Sequence, residues 1–240
     1  AAESANIDET FLVLNGDVLT DLDLKKLVSF HEETEAEASI HLIPVEDPSQ
    51  YGVVDVRAGG MVSGFTEKPE TMSSSPSWVN AGTYVFETSV LDRIKPNARV
   101  SLEREVFPSL AASSSLFAFQ SEDYWIDTGI PSTYLQAQLD LIAGGVRGFT
   151  GKGISPSAVI VGEVQNSVIG NNVVVEKGAS VHRSVLLDGT LVRENVLVSD
   201  SIVGFDAEVG QGSVIESFSV VGHGVKVPPE TEASSMKLGR

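Results

Sequence analysis

Polar and apolar positions follow one rule through the first 145 residues and another beyond about residue 167. In the first part, short apolar runs alternate with stretches of helical spacing. The runs at 11–14, 38–45, 51–56, 61–67, 78–86, 116–120 and 124–129 predict strands. The intervening 21–35, 89–94, 101–110 and 132–143 predict helices, with Asp21 as N-cap of the first and Gly144-Gly145 closing the last. Gly59-Gly60 predicts a hairpin turn. Alternation of this kind indicates a mixed α/β sheet. Residues 1–7 read as the end of a helix without an N-cap, so a preceding segment is expected.

From Ser167 the period becomes six. An aliphatic residue recurs at Ile169, Val175, Val181, Leu187, Val192, Val198, Val203, Val209, Ile215, Val221 and Val227, with a small or β-branched residue two positions before each. Two of the steps, into Val192 and into Val203, are five residues long. Neither a helix nor a long antiparallel strand has this period. A parallel β-helix does, with one hexapeptide on each face of a triangular coil and the aliphatic side chain pointing inward. The expected organisation is therefore an α/β domain over 1–145, a linker and lead-in over 146–166, the β-helix over 167–227, and a tail over 228–240.

Composition narrows the function more than the fold. With 42% apolar residues the chain can bury a core, and its longest apolar stretches are strand-sized. It has no cysteine, which excludes disulfides, a thiol nucleophile and a thiolate metal site. The net charge of −17 argues against a nucleic-acid partner. No signal peptide or membrane span is apparent, and cytoplasm is the default compartment.

The candidate chemistry lies at strand ends, where ligands bind in open α/β sheets. Asn15-Gly16-Asp17 and Tyr124-Trp125-Ile126-Asp127-Thr128-Gly129 each place a carboxylate beside a glycine turn. Glu67-Lys68-Pro69 sets one lysine in a stretch otherwise without bases between Arg57 and Arg93. Asn80-Ala81-Gly82 breaks a strand with small residues, a sign of close approach by a ligand or another backbone. The four histidines, His31, His41, His182 and His223, lie outside these motifs and read as surface or strand-face residues.

Taken in order, NGD at 15–17, EKP at 67–69, WVNAG at 78–82 and YWIDTG at 124–129, followed by the hexapeptide repeat, resemble the sugar-1-phosphate nucleotidylyltransferases, most of all the mannose-1-phosphate guanylyltransferases. The resemblance implies a partial Rossmann-like mixed-sheet nucleotidyltransferase domain followed by a left-handed parallel β-helix. It implies nucleotidyl transfer from a nucleoside triphosphate to a sugar 1-phosphate, releasing pyrophosphate. Asp17 and Asp127 would hold Mg²⁺. Lys68 would face the sugar phosphate. Gly52, Glu67, Asn80 and Gly82 would line the sugar pocket, with Trp125 shaping its wall. Its expected partners are the sugar 1-phosphate and nucleotide sugar, and either a second copy through the β-helix or a partner chain. One departure stands out. The Gly-rich Arg/Lys loop of the family, G-x-G-T-R-L-x-P-L-T, does not occur in these 240 residues. The expectation is a form inactive alone, with an exposed apolar sheet edge. A regulatory or scaffolding subunit is the alternative, and a hexapeptide acyltransferase a more distant one.

Overall fold

The computed structural model describes residues 7–67 and 76–239. It divides into two compact units between Trp125 and Ile126.

The first unit is a mixed sheet. Its elements are β1 (Phe11–Leu14), β2 (Val18–Thr20), α1 (Leu24–Glu33), β3 (Ala38–Val45), β4 (Gly52–Val56), β5 (Val62–Glu67), β6 (Ser77–Phe86), a 3₁₀ turn (Thr88–Arg93), a π-helical turn (Leu102–Val106), α2 (Phe107–Ala112) and β7 (Leu116–Gln120). Sheet order is β5-β4-β6-β3-β7, with β1 on the C-terminal half of β6. Strands β1 and β3 are antiparallel to β6, and β7 is parallel to β3. The run ASIHLIPV forms β3, whose first six residues are buried, as expected for a strand covered on both faces. The β4–β5 hairpin tip reaches back to β7: the Ala118 N–H donates to the Gly60 carbonyl at 2.7 Å, and Met61 pairs with Phe117. The sheet thus curls around a core that includes Tyr84, Phe86, Phe107, Leu110 and Leu116. Leu12 and Leu14 on β1 remain 38% and 51% exposed.

Two local expectations are corrected. The first helix is capped by Asp23, whose carboxylate accepts from the Lys25 and Lys26 N–H groups, and not by Asp21. Asp21 instead accepts from the Tyr124 N–H at 2.9 Å. His31 is buried on α1 and so neither a surface nor a strand-face residue, while His41 is a strand residue of β3 and is buried. His31 lies between the Ser39 hydroxyl at 2.9 Å and the Glu87 carboxylate at 3.0 Å. The His41 Nε2 meets the Ser121 hydroxyl at 2.9 Å, while its buried Nδ1 has no partner among the described residues.

The second unit begins in β8 (Trp125–Asp127), continues with α3 (Pro131–Ala143), and consists mainly of a parallel β-solenoid of three five-stranded sheets. This pairing is consistent with a left-handed β-helix. The ladder extends past the expected limits. Val159–Ile160 and Glu163–Gln165 already pair with later coils. The supposed tail carries Glu232–Ser234 and Lys237–Leu238, paired with Val214–Glu216 and Val220–Val221, and its Ala233 and Leu238 join the core. Pro228-Pro229 masks this continuation, because prolines at a corner take nothing from the ladder.

Coil length is set by a buried serine ladder. Ser167, Ser184 and Ser201 follow residues with positive φ, namely Asn166, Arg183 and Asp200. Each serine hydroxyl donates to the carbonyl two residues back, at 2.7–2.8 Å. The Ser184 and Ser201 N–H groups in turn donate to the hydroxyl one coil earlier, at 3.1 Å. This corner is tight, so the five-residue step falls there. The inward residue is therefore Leu186, fully buried, and not Leu187 as the regular period suggested. Leu187 faces outward, against Tyr134, Leu135, Leu139 and Ile142 of α3. At the next corner Ser217 and Phe218 both take positive φ, and the coil gains a residue.

Candidate active site

The site in the first unit is built from four strands and the π-helical turn. β1 delivers the Asn-Gly-Asp turn alongside β6, with Leu14 opposite Thr83, and the Asn15 N–H donates to the Gly82 carbonyl at 2.8 Å. Gly82 has φ +74°, and a Cβ there would lie 2.6 Å from the Asn15 Nδ2. The small-residue break read in the sequence thus marks a close approach, and what approaches is the Asn15 carboxamide. Replacing Gly82 with Ala combines left-handed backbone with overpacking, so we expect it to lower unfolding free energy by about 1–3 kcal/mol, measured by urea denaturation.

Asn80 is held at three points. Its Nδ2 donates to the Tyr84 hydroxyl and to the Glu103 Oε1, both at 2.9 Å, and its Oδ1 accepts from the Gly82 N–H at 3.0 Å. Tyr84 is buried among Phe86 and Phe107, and that burial pushes its phenol up to about 12, a shift the Asn80 bond opposes. Gly52, Phe65, Asn80, Glu103, Arg104 and Pro108 line a cavity of about 240 Å³. Gly52 is in register with Glu67, so the backbone of that residue ends β5 beside it.

Glu103 and Arg104 were not among the residues singled out from sequence, because 101–110 reads as one helix with charges on its solvent face. Two elements form instead: the π-turn and α2. The cap betrays the extra residue. The Ser101 hydroxyl accepts from the Arg104 N–H as in a capping box, but the carboxylate that returns to the Ser101 N–H belongs to Glu105, one position later than the box requires.

Near the second strand-end motif, the Tyr124 carbonyl accepts from the Thr20 hydroxyl at 2.8 Å and the Asp21 N–H at 3.2 Å. Trp125 donates its indole N–H to the Ala81 carbonyl at 2.8 Å and packs edge-on against Tyr51, which makes it a wall residue. Asp17 is exposed. Asp127 is half-buried, and its Oδ1 accepts from the Gly129 N–H at 2.8 Å. The two carboxylates fall in different units. Lys68 lies outside the described residues. The structure therefore brings together Gly52, Asn80, Gly82 and the end of β5. Among the described residues no group of three or more His, Asp or Glu side chains forms a ready metal cage. No described helix is long and apolar enough to cross a membrane.

A mixed sheet carrying a strand-end Asn-Gly-Asp turn is thus followed by a hexapeptide solenoid. The chain belongs to the nucleotidyl transferase family, whose model matches residues 1–144; a GMPPB C-terminal domain model matches 151–237. It is 33% identical over 238 residues to mannose-1-phosphate guanylyltransferase 1 of Arabidopsis thaliana, covering 92% of this chain and 65% of the relative. It is 34% identical over 254 residues to the mannose-1-phosphate guanylyltransferase catalytic subunit beta of Dictyostelium discoideum, covering 99% and 70%. The mannose-1-phosphate guanylyltransferase of Mycobacterium tuberculosis is 33% identical over 222 residues, covering 92% and 54%. The chain thus spans 65% of the length of the Arabidopsis relative.

Proposed function

We propose that this chain carries the sugar-phosphate side of a nucleotidyl transfer, from a nucleoside triphosphate to a sugar 1-phosphate, with GTP and mannose 1-phosphate as the favoured pair. The observation that carries this reading is the cavity around Asn80, Gly52 and Glu103 at the end of β5. The relatives' names supply the choice of sugar and base.

The reaction joins an anionic phosphate oxygen of the sugar phosphate to the α-phosphorus and breaks the bond to pyrophosphate. The nucleophile carries no proton to be removed, so no general base is needed. The residues have to bring two polyanions together and hold them in line. Asp17 and Asp127 would each offer Mg²⁺ a hard carboxylate oxygen, Asp127 through the oxygen beyond its bond to Gly129. When bound, the ion neutralises phosphate charge. Lys68 supplies positive charge toward the sugar phosphate. Glu67 and the backbones at Gly52 and Gly82 shape the sugar pocket, and Asn80 takes part in it.

These 240 residues contain no Gly-rich Arg/Lys loop, so we expect them to bind the sugar 1-phosphate without turning it over. Incubation with GTP, mannose 1-phosphate and Mg²⁺ should release no pyrophosphate above background. Turnover that Asp127→Asn abolishes would overturn the expected inactivity. We further propose that the chain associates through its solenoid with a second copy or a partner chain, which sedimentation velocity measures.

A further inference from the structure

We propose that Glu103, and not Asn80, is the residue of this pocket that reads the sugar hydroxyls, and that Asn80 is its positioning residue. The inference rests on the reading of the cavity as a sugar 1-phosphate site.

Valence decides between the two side chains. An asparagine offers two N–H donors and one carbonyl oxygen with two lone pairs. Both Asn80 donors are engaged, one by Tyr84 and one by Glu103, and its carbonyl gives one lone pair to the Gly82 N–H, which leaves a single neutral acceptor site against the charged carboxylate of Glu103. A ligand bonding to an Asn80 N–H has to displace one of these partners, and Tyr84 cannot move, being packed into the aromatic core. Glu103 differs. One carboxylate oxygen accepts from Asn80, and the other has no hydrogen-bond partner among the described residues. A carboxylate only accepts, and sugar hydroxyls donate, so the chemistries match.

The backbone supports the same assignment. Glu103 lies in the π-helical turn, with the Phe107 N–H bonded to the Leu102 carbonyl five residues back. Such turns are rare and occur frequently at functional sites. The extra residue lets Glu103 line the cavity while Val106 and Phe107 stay buried. Phe65 and Pro108 on the cavity wall offer apolar surface to the C–H face of a pyranose ring. The Asn80–Tyr84 bond then fixes the direction of the carboxylate, an anchor reaching from the core to the ligand.

Isothermal titration of the full 240-residue chain with mannose 1-phosphate and with its 2-, 3- and 4-deoxy analogues tests this. Glu103→Gln keeps the side-chain shape and an acceptor for Asn80. We expect it to weaken mannose 1-phosphate binding about 10- to 100-fold, the usual weight of hydrogen bonds to a charged group. At least one deoxy analogue should bind wild type and Glu103→Gln equally, because it lacks the hydroxyl that Glu103 reads. Asn80→Ala should weaken binding in the wild-type background but not further in Glu103→Gln, a coupling that a purely structural loss does not produce. If wild type binds while Glu103→Gln binds equally well, or loses the same factor for every analogue, the assignment of Glu103 is wrong and the sugar-phosphate reading stands. If wild type binds none of the four compounds, the reading itself fails and takes the inference with it.

Discussion

Leu186→Ala is expected to lower the unfolding free energy by about 2–5 kcal/mol, and Leu187→Ala by markedly less, although the two leucines are neighbours. Leu186 is fully enclosed by the solenoid core, where neighbouring coils cannot collapse around a missing side chain because their backbones are tied level by level through the strand ladder. Leu187 lies under α3 and is partly exposed already, so a shift of that helix can fill part of the space. Paired urea denaturation curves measure the difference. Equal losses, or a larger loss at Leu187, would show that the five-residue step falls at the other corner and that the serine ladder is misplaced.

Lowering pH from 7 to 4 should remove roughly 3 kcal/mol of stability through His41 alone. Burial pushes its imidazole from 6.5 down to about 4, against a smaller opposing pull from the Asp123 carboxylate. The geometry supplies the reason. We assign the neutral tautomer with Nε2–H donating to Ser121, which leaves only a lone pair on the partnerless Nδ1; protonation would put a buried donor there with nothing to accept it. The unfolded chain gains its proton near 6.5 while the folded one resists until about 4. The contribution is therefore complete above 6.5 and is lost as pH falls through that window. Glu37 is held below its usual range by its bond to Arg93, so its own stability loss begins below about 4.5 and can be told apart. His41→Gln should flatten the slope of unfolding free energy between pH 6.5 and 4.5. An unchanged slope would assign the effect to other groups.

The strands of the first unit, β2 apart, were legible because each apolar run is strand-length and bounded by polar or turn-forming residues. The solenoid was legible because a period of six suits neither a helix nor an antiparallel strand. What the pattern did not reveal are the places where two solutions share one polarity. Leu186 and Leu187 are both apolar, and only the tight serine corner, with α3 packed on Leu187, shows which points inward. Pro228-Pro229 looks like a terminus until the strands beyond it are seen to pair. His41 sits in β3 among apolar residues and Ser39, and its polarity alone did not show that it is buried. The candidate site divides the same way. Asn80 and Gly82 were singled out through a small-residue break and Gly52 through the family resemblance, whereas Glu103 was hidden because a π-helical turn stands where the pattern assumes an α-helix. A serine with its returning glutamate four positions on, instead of three, is the trace that reading could have used.

The Asn15 carboxamide seated over Gly82 has a consequence for how binding is distributed in energy. The Asn-Gly-Asp turn and the Asn80 side of the cavity share one joint, since Gly82 bonds Asn15 through its carbonyl and Asn80 through its N–H. Neither can be displaced without the other. The entropy of ordering this corner is therefore spent when the chain folds, and a ligand arriving later meets a surface already set.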